Sequence, residues 1–271
     1  MSKSNYQKIA REIRKKILKM IFAAQNPHIG SALSCVDILT VLYFKILAID
    51  LRNPWAENRD RFILSKGHAA SALYATLAQR GFFPEEVLNS YCLDGGKLPG
   101  HSTMHCVPGV EVSTGSLGHG LSIGIGMVIA AKGNKKNYRV FILMSDGECD
   151  EGSIWEAAMF ASHHKLDNLI AIIDYNKLQA FGRTNEVINL EPLTKKWAAF
   201  GWVVKEVDGY NYSDIEKAMR EIPFKKNKPS IIIAHTKKGK GISFMENKLE
   251  WHYKSPNKEQ FELALKELDV L

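Results

Sequence analysis

Two near-continuous apolar runs constrain this chain more than any other feature. Tyr138-Arg139-Val140-Phe141-Ile142-Leu143-Met144 is rich in β-branched and aromatic residues and breaks at Asp146-Gly147; Leu169-Ile170-Ala171-Ile172-Ile173 ends at Asp174. A strand with one wet face alternates apolar and polar residues, whereas a strand this uniformly apolar is covered on both faces. Trp202 to Val207 and Ser230 to Ala234 supply two more strands, and helical patterns over Glu151–Leu166 and Ser213–Glu221 fall between them. Repeated strand–helix alternation predicts an α/β fold with a doubly wound, mostly parallel sheet flanked by helices. Ligands of such folds sit at the carboxyl ends of the strands.

The N-terminal third reads as helix. Tyr6, Ile9, Ala10, Ile13, Ile17, Met20 and Ile21 recur at helical spacing. A second, more buried helix is expected from Ser34-Cys35-Val36-Asp37 through Leu47, and a third from Gly67 to Arg80, closed by Gly81. Asn257 to Leu268 predicts a closing amphipathic helix. No repeat or flexible linker divides the 271 residues, so a single domain spanning 1–271 is expected.

Composition removes several classes. Apolar residues at 45% and charged residues at 24% are globular values, against disorder or coiled coil. No apolar run approaches the length of a bilayer span, and no apolar segment follows Met1-Ser2-Lys3-Ser4-Asn5 as in a secretory signal. Cys35, Cys92, Cys106 and Cys149 have no regular spacing, which favours free thiols in a reducing cytoplasm. The net charge of +7 is spread over short lysine pairs with no interleaved aromatics, so neither a nucleic-acid surface nor a membrane surface is expected.

The chemistry concentrates in Ser145-Asp146-Gly147-Glu148-Cys149-Asp150-Glu151-Gly152 and in Asp174-Tyr175-Asn176-Lys177. Asp146 and Asn176 stand thirty positions apart at the tips of consecutive predicted strands, and a parallel βαβ unit sets such residues side by side. A carboxylate oxygen, an amide oxygen and a nearby main-chain carbonyl are hard ligands suited to Mg²⁺, which completes its octahedral shell with phosphate and water. Gly147 lets the backbone approach a diphosphate closely, and the following helix N-terminus favours its charge. An Asp-Gly turn alone is commonplace; the pair at this spacing is not.

This segment resembles the diphosphate-binding motif of thiamine diphosphate enzymes, and the chain resembles the N-terminal half of transketolase over nearly its whole length. The collinear supporting residues are Pro27-His28-Ile29-Gly30, Asn58 through Ala69, Gly100-His101, Gly109 through Gly120, Gly239-Lys240-Gly241 and Trp251-His252. The resemblance implies that Asp146, Asn176 and the main-chain carbonyl of Leu178 ligate Mg²⁺, with Ca²⁺ or Mn²⁺ as substitutes. It implies that His68 and Gly147 contact the diphosphate of thiamine diphosphate, that Gly115, Ser116 and Leu117 line its pocket, and that Lys238 lies in a contacting loop. His28, His101 and His252 match histidines facing the reacting carbons and hydroxyls of the sugar, His252 also reaching the diphosphate. Glu151 matches a glutamate near the dimer contact. Two positions depart: Ser145 and Tyr253 stand where many relatives have glycine.

The histidine roles make chemical sense, because imidazole exchanges protons near neutral pH while a sugar carbonyl is attacked and a hydroxyl deprotonated. Blander readings exist: His28 as a helix cap, His68 as a helix start, His163-His164 as surface residues, and His101, His105, Cys106 and Cys92 as a false zinc set.

In this family the glutamate that bonds the aminopyrimidine ring, and much of the sugar-phosphate pocket, belong to a second domain. A chain of this length reads either as an excised half or, the preferred expectation, as a natural half-enzyme that pairs with a separate C-terminal transketolase subunit, by analogy as a heterotetramer with two of each. The implied activity is transfer of a two-carbon ketol unit from a ketose phosphate to an aldose, as in the pentose phosphate pathway. Alternatives are a deoxyxylulose-phosphate synthase-like or 2-oxoacid-decarboxylating subunit, a specialised branched-sugar transketolase, and a basic scaffold or nucleic-acid module.

Overall fold

The computed structural model describes residues 1–270. Five parallel strands form its sheet: β1 (Arg61–Leu64), β2 (Val140–Ser145), β3 (Leu169–Tyr175), β4 (Val203–Asp208) and β5 (Ser230–His235), in the order β1-β2-β3-β5-β4. The apolar runs are covered on both sides, as their composition requires. Phe141, Leu143, Ile170, Ile172 and Ile232 face one core, and Val140, Ile142, Met144, Leu169, Ala171, Ile173, Ile231 and Ile233 face the other. Each large aliphatic side chain withdrawn from water there contributes about 1.5–3 kcal/mol before chain entropy is set against it.

Helices cover each face. The first core is closed by α1 (Lys3–Ala24), α2 (Ile29–Ser34), α3 (Val36–Val41) and α4 (Ala70–Arg80). The second is closed by α5 (Gly120–Gly133), α6 (Gly152–His163) and α8 (Leu193–Ala199), the short α7 (Thr184–Val187) lying between α6 and α8 in sequence. The amphipathic α9 (Tyr212–Arg220) and α10 (Lys258–Asp269) return to the first core. The doubly wound expectation therefore holds, with helices on both sides of one parallel sheet.

One local reading changes, and two elements were not read from the sequence. The expected helix from Ser34 to Leu47 begins at Ile29, bends at Cys35 (φ −98°, ψ 5°), and ends in a widened π turn over Leu42–Ile46. The bend coincides with Ser34, whose hydroxyl donates to the Asp174 carboxylate at 2.5 Å and lies 3.0 Å from the Ser31 carbonyl. The edge strand β1 and the helix α5 had no periodic signal. Four residues are too few to show a period, and α5 is so rich in glycine and apolar residues that no face stands out.

Candidate active site

The register of β2 and β3 builds the centre of the site. Ser145 is paired with Asp174, so the next turn of each strand leaves the sheet at one place and brings Asp146 beside Tyr175 and Asn176. Asp146 is buried, and its carboxylate accepts from the Lys177 N–H at 2.6 Å and the Gly147 N–H at 2.8 Å. Burial, and then the charge of Asp174, push its carboxyl up to about 6. Asn176 accepts the Leu178 N–H through Oδ1 at 3.1 Å, which curls the chain and turns the Leu178 carbonyl toward Lys238. A Cβ on Gly147 would come within 3.2 Å of the Gln179 side chain, which would have to give way by a few tenths of an ångström.

Lys238 answers that carbonyl. Its buried ammonium donates to the Leu178 carbonyl at 3.0 Å and the Gln179 carbonyl at 3.3 Å, and lies 2.7 Å from His252 Nδ1. Burial lowers its pKa to about 8. A cation thus already faces the carbonyl oxygen that was assigned to metal. The donor set of carboxylate, amide and carbonyl oxygens, with a positive charge drawn to it, fits a hard divalent ion.

Four imidazoles converge on the same cleft, which has a volume of about 410 Å³. The ring of His28 lies 5.2 Å from that of His68, 6.0 Å from His101 and 5.1 Å from His252, and His68 lies 5.6 Å from His252. His28 occupies the left-handed region (φ 76°), uncommon for a residue with a side chain, and makes no side-chain cap to α2. Its N–H donates to the His252 carbonyl at 2.9 Å, fastening two distant segments together. Burial lowers His28 to about 4 and His252 to about 3, with Lys238 adding to both, and it lowers His68 well below the ordinary range. These rings are neutral at physiological pH, able both to donate and to accept.

Gly115, Leu117, Asp146, Gly147, Glu151, Asn176, Leu178 and Lys238 line this cleft with the four histidines. Ser116 is the exception among the expected residues: it lines an adjoining open depression, which shares His101 and Gly115 with the main cleft. His68 lies in the 3-10 turn Gly67–Ala69 that leads into α4, so its place at a helix start and its place in the cleft coincide. His163 and His164 are exposed on α6, His105 stacks on Trp55, and Cys92 receives an Asn26 amide bond.

Several site-building residues carried no separate signal. Glu148 is buried and accepts from the Ser65 hydroxyl at 2.5 Å, the Gly118 N–H at 3.1 Å and the Ser145 N–H at 2.9 Å. One carboxylate therefore ties together the ends of β1 and β2 and the loop before α5. Beneath the cleft, the Lys66 ammonium pairs with Asp174 and donates to the Ser31 carbonyl at 2.9 Å. Burial, the largest single influence, would lower Lys66, but the Asp174 charge and hydrogen bond, with Cys35 and Asp146 nearby, together outweigh it and the net shift is upward. Both residues lie inside motifs visible in the sequence, yet only the fold shows what they touch.

A helix-covered parallel sheet whose strand ends open on a cleft holding an acid, an amide and four imidazoles defines an α/β domain with its candidate ligand site at the carboxyl ends of the strands. Over residues 5–268 the chain matches the family model described as transketolase, thiamine diphosphate binding domain, and it belongs to that family. It is 48% identical over 255 residues to an apulose-4-phosphate transketolase subunit of Phocaeicola vulgatus, covering 94% of this chain and 90% of that one. It is 44% identical over 260 residues to the 6-deoxy-6-sulfo-D-fructose transketolase subunit SqwG of a Clostridium species, covering 96% and 94%. Among solved structures, the transketolase of Campylobacter jejuni superposes with a TM-score of 0.92 at 30% identity. That match covers 99% of this chain and 43% of the longer one, so the chain spans less than half of the full-length enzyme.

Proposed function

We propose that this chain is the thiamine diphosphate-binding subunit of a two-subunit transketolase, transferring a two-carbon ketol unit from a ketose phosphate to an aldose. The observation that carries this reading is the convergence of Asp146, Asn176 and the Leu178 carbonyl beside four imidazoles in one cleft. Thiamine diphosphate, when bound, supplies the electron sink for the carbon–carbon chemistry.

The chain's own residues then divide the work. Asp146, Asn176 and the Leu178 carbonyl hold Mg²⁺, with Gly147, His68 and Lys238 turned to the diphosphate. Gly115 and Leu117 bound the coenzyme pocket. His28, His101 and His252 face the sugar, and their mixed donor and acceptor character suits moving a proton to or from its hydroxyls.

The partner reading draws on two supports. The subunit relatives are matched over 90% or more of their length, whereas the full-length enzyme is matched over 43%. In addition, Ile129 on α5 and Met159 and Phe160 on α6 leave large apolar side chains exposed on two helices that pack together, apolar surface that a second polypeptide would cover. The assembly we propose is a heterotetramer of two such chains and two C-terminal subunits. Free cysteines suit a reducing cytoplasm, where ketol transfer within the pentose phosphate pathway would take place.

The test is reconstitution. The chain is mixed with its complementary subunit, Mg²⁺ and thiamine diphosphate, and transfer from xylulose 5-phosphate to ribose 5-phosphate is followed. Ketol transfer that depends on both polypeptides is the expected result. Bound coenzyme with pyruvate consumption in place of ketol transfer would reassign the reaction to a decarboxylating class.

A further inference from the structure

One large side chain on the cleft wall is unused by the coenzyme and the histidine roles. Tyr253 follows His252 directly and lines the same cleft, its ring 4.7 Å from the imidazole of His252 and 6.2 Å from that of His28. It remains 61% exposed, although it sits beside a buried anchor. Trp251, two positions before it, is fully packed and donates its indole N–H to the Phe244 carbonyl at 3.0 Å. The Tyr253 N–H closes the turn onto the Glu250 carbonyl at 3.2 Å. The main chain is thus fixed on the inner side, and the phenol ring is held over the mouth of the cleft.

Neither backbone nor packing explains the ring. At φ −114° and ψ −13° the position accepts any residue, and so little of the side chain is covered that its bulk contributes little to the core. An aromatic ring with an open face beside a polar cleft is suited to contact with a ligand, its face apolar and its edge carrying a hydroxyl. Sugars present C–H patches between their hydroxyls, which match both features.

We infer that Tyr253 is a substrate-discriminating residue. Its ring is the wall on which the carbon skeleton of the sugar rests, beyond the atoms that face His28 and His252. The inference builds on the ketol-transfer reading and adds to it the part of this chain that selects among sugars. Ring bulk at this point favours a short skeleton and penalises a longer one.

The experiment uses the reconstituted pair loaded with Mg²⁺ and thiamine diphosphate, comparing the parent with Tyr253→Gly, Tyr253→Leu and Tyr253→Phe. Two quantities are read for xylulose 5-phosphate and sedoheptulose 7-phosphate: kcat/KM, and the dissociation constant from saturation-transfer NMR. Tyr253→Gly is expected to move the preference roughly tenfold or more toward the seven-carbon sugar, mainly through KM and Kd. Tyr253→Phe should hold the parental ratio within about twofold, with coenzyme affinity constant throughout. Tyr253→Leu removes the ring and its reach while keeping a smaller apolar side chain; a shift in the same direction as for glycine, and smaller, is expected, and it decides the matter should the glycine variant fold poorly. Ratios of both kcat/KM and Kd that stay at the parental value without the ring would overturn the inference. A parent that binds these sugars but transfers nothing would overturn the ketol-transfer reading instead, and the sugar affinities would still decide the role of Tyr253.

Discussion

The ammonium of Lys238 donates to the main-chain carbonyl of Leu178 at 3.0 Å, so the oxygen assigned to the divalent ion is held by a cation of the protein itself. An ammonium and a metal ion repel at such separations, by several kcal/mol for unit charges about 4 Å apart near a protein surface. In the coenzyme-free chain, Lys238→Met should therefore raise Mn²⁺ affinity by about tenfold or more, equivalent to about 1.4 kcal/mol. Thiamine diphosphate affinity at saturating metal should fall, because a cation facing the diphosphate has gone. Electron paramagnetic resonance titration of Mn²⁺ reads the first effect and calorimetry the second. Unchanged Mn²⁺ binding would separate Lys238 from the metal site.

Asp146 is the sole acidic side chain in the proposed ligand set. Asp146→Ala should weaken metal-dependent coenzyme binding by well over the roughly 10–100-fold typical of a residue that merely supports a ligand. Calorimetry on the reconstituted pair provides the measurement, with circular dichroism as the check on folding. Parental affinity in this variant would remove the metal assignment.

Lys66 and Asp174 form an ion pair with essentially no solvent exposure. Lys66→Met leaves the Asp174 charge buried with only the Ser34 and Thr236 hydroxyls for company, and should cost about 3–5 kcal/mol in a denaturant titration. Adding Asp174→Asn should restore much of that loss, since the uncompensated charge is then removed. A single variant as stable as the parent would show that the pair carries no net charge interaction.

His28 and His252 should stay neutral as the pH falls through the usual imidazole range. Their folded values of about 4 and about 3 lie below the unfolded value near 6.5, so the unfolded chain takes up protons first. The stability they confer is complete above pH ~6.5 and is lost progressively toward pH 4 for His28 and toward pH 3 for His252. Two-dimensional NMR of the imidazole nitrogens in the free chain reads both transitions. Midpoints near 6.5 for both would mean that the rings are not packed against one another as described.

Much of the fold was legible in sequence where the physics is local. Val140–Met144 and Leu169–Ile173 admit one economical solution, burial on both faces of a parallel sheet, and the helical period of α1 and α9 is plain. Arg61–Leu64 and Gly120–Gly133 were not legible, the one too short to display a period and the other apolar all round. The bend at Cys35 was equally hidden, because it coincides with the contact of Ser34 with Asp174, 140 positions away.

Of the site, Asp146 and Asn176 could be placed together because strand register is a short-range consequence of the βαβ unit. The resemblance supplied His28, His68, His101 and His252, and the fold brings them into one cleft, while Ser116 faces the neighbouring depression. Glu148 shows the limit of motif reading: it stands in the most conspicuous segment of the chain, yet its bonds to Ser65 and Gly118 join three separate loops.

By itself, then, the amino-acid order determined the parallel sheet, its two-sided burial and the pairing of an acid with an amide at adjacent strand tips. Those outcomes follow from apolar patterning and from the fixed geometry of one supersecondary unit. Tertiary structure alone decided that Lys238 would sit on the Leu178 carbonyl, that Lys66 would lie buried against Asp174, and that Tyr253 would overhang the imidazoles. These contacts depend on the strand order β1-β2-β3-β5-β4 and on how the helices settle on the sheet. No local periodicity records either, because the energy that selects them comes from packing between segments far apart in the chain.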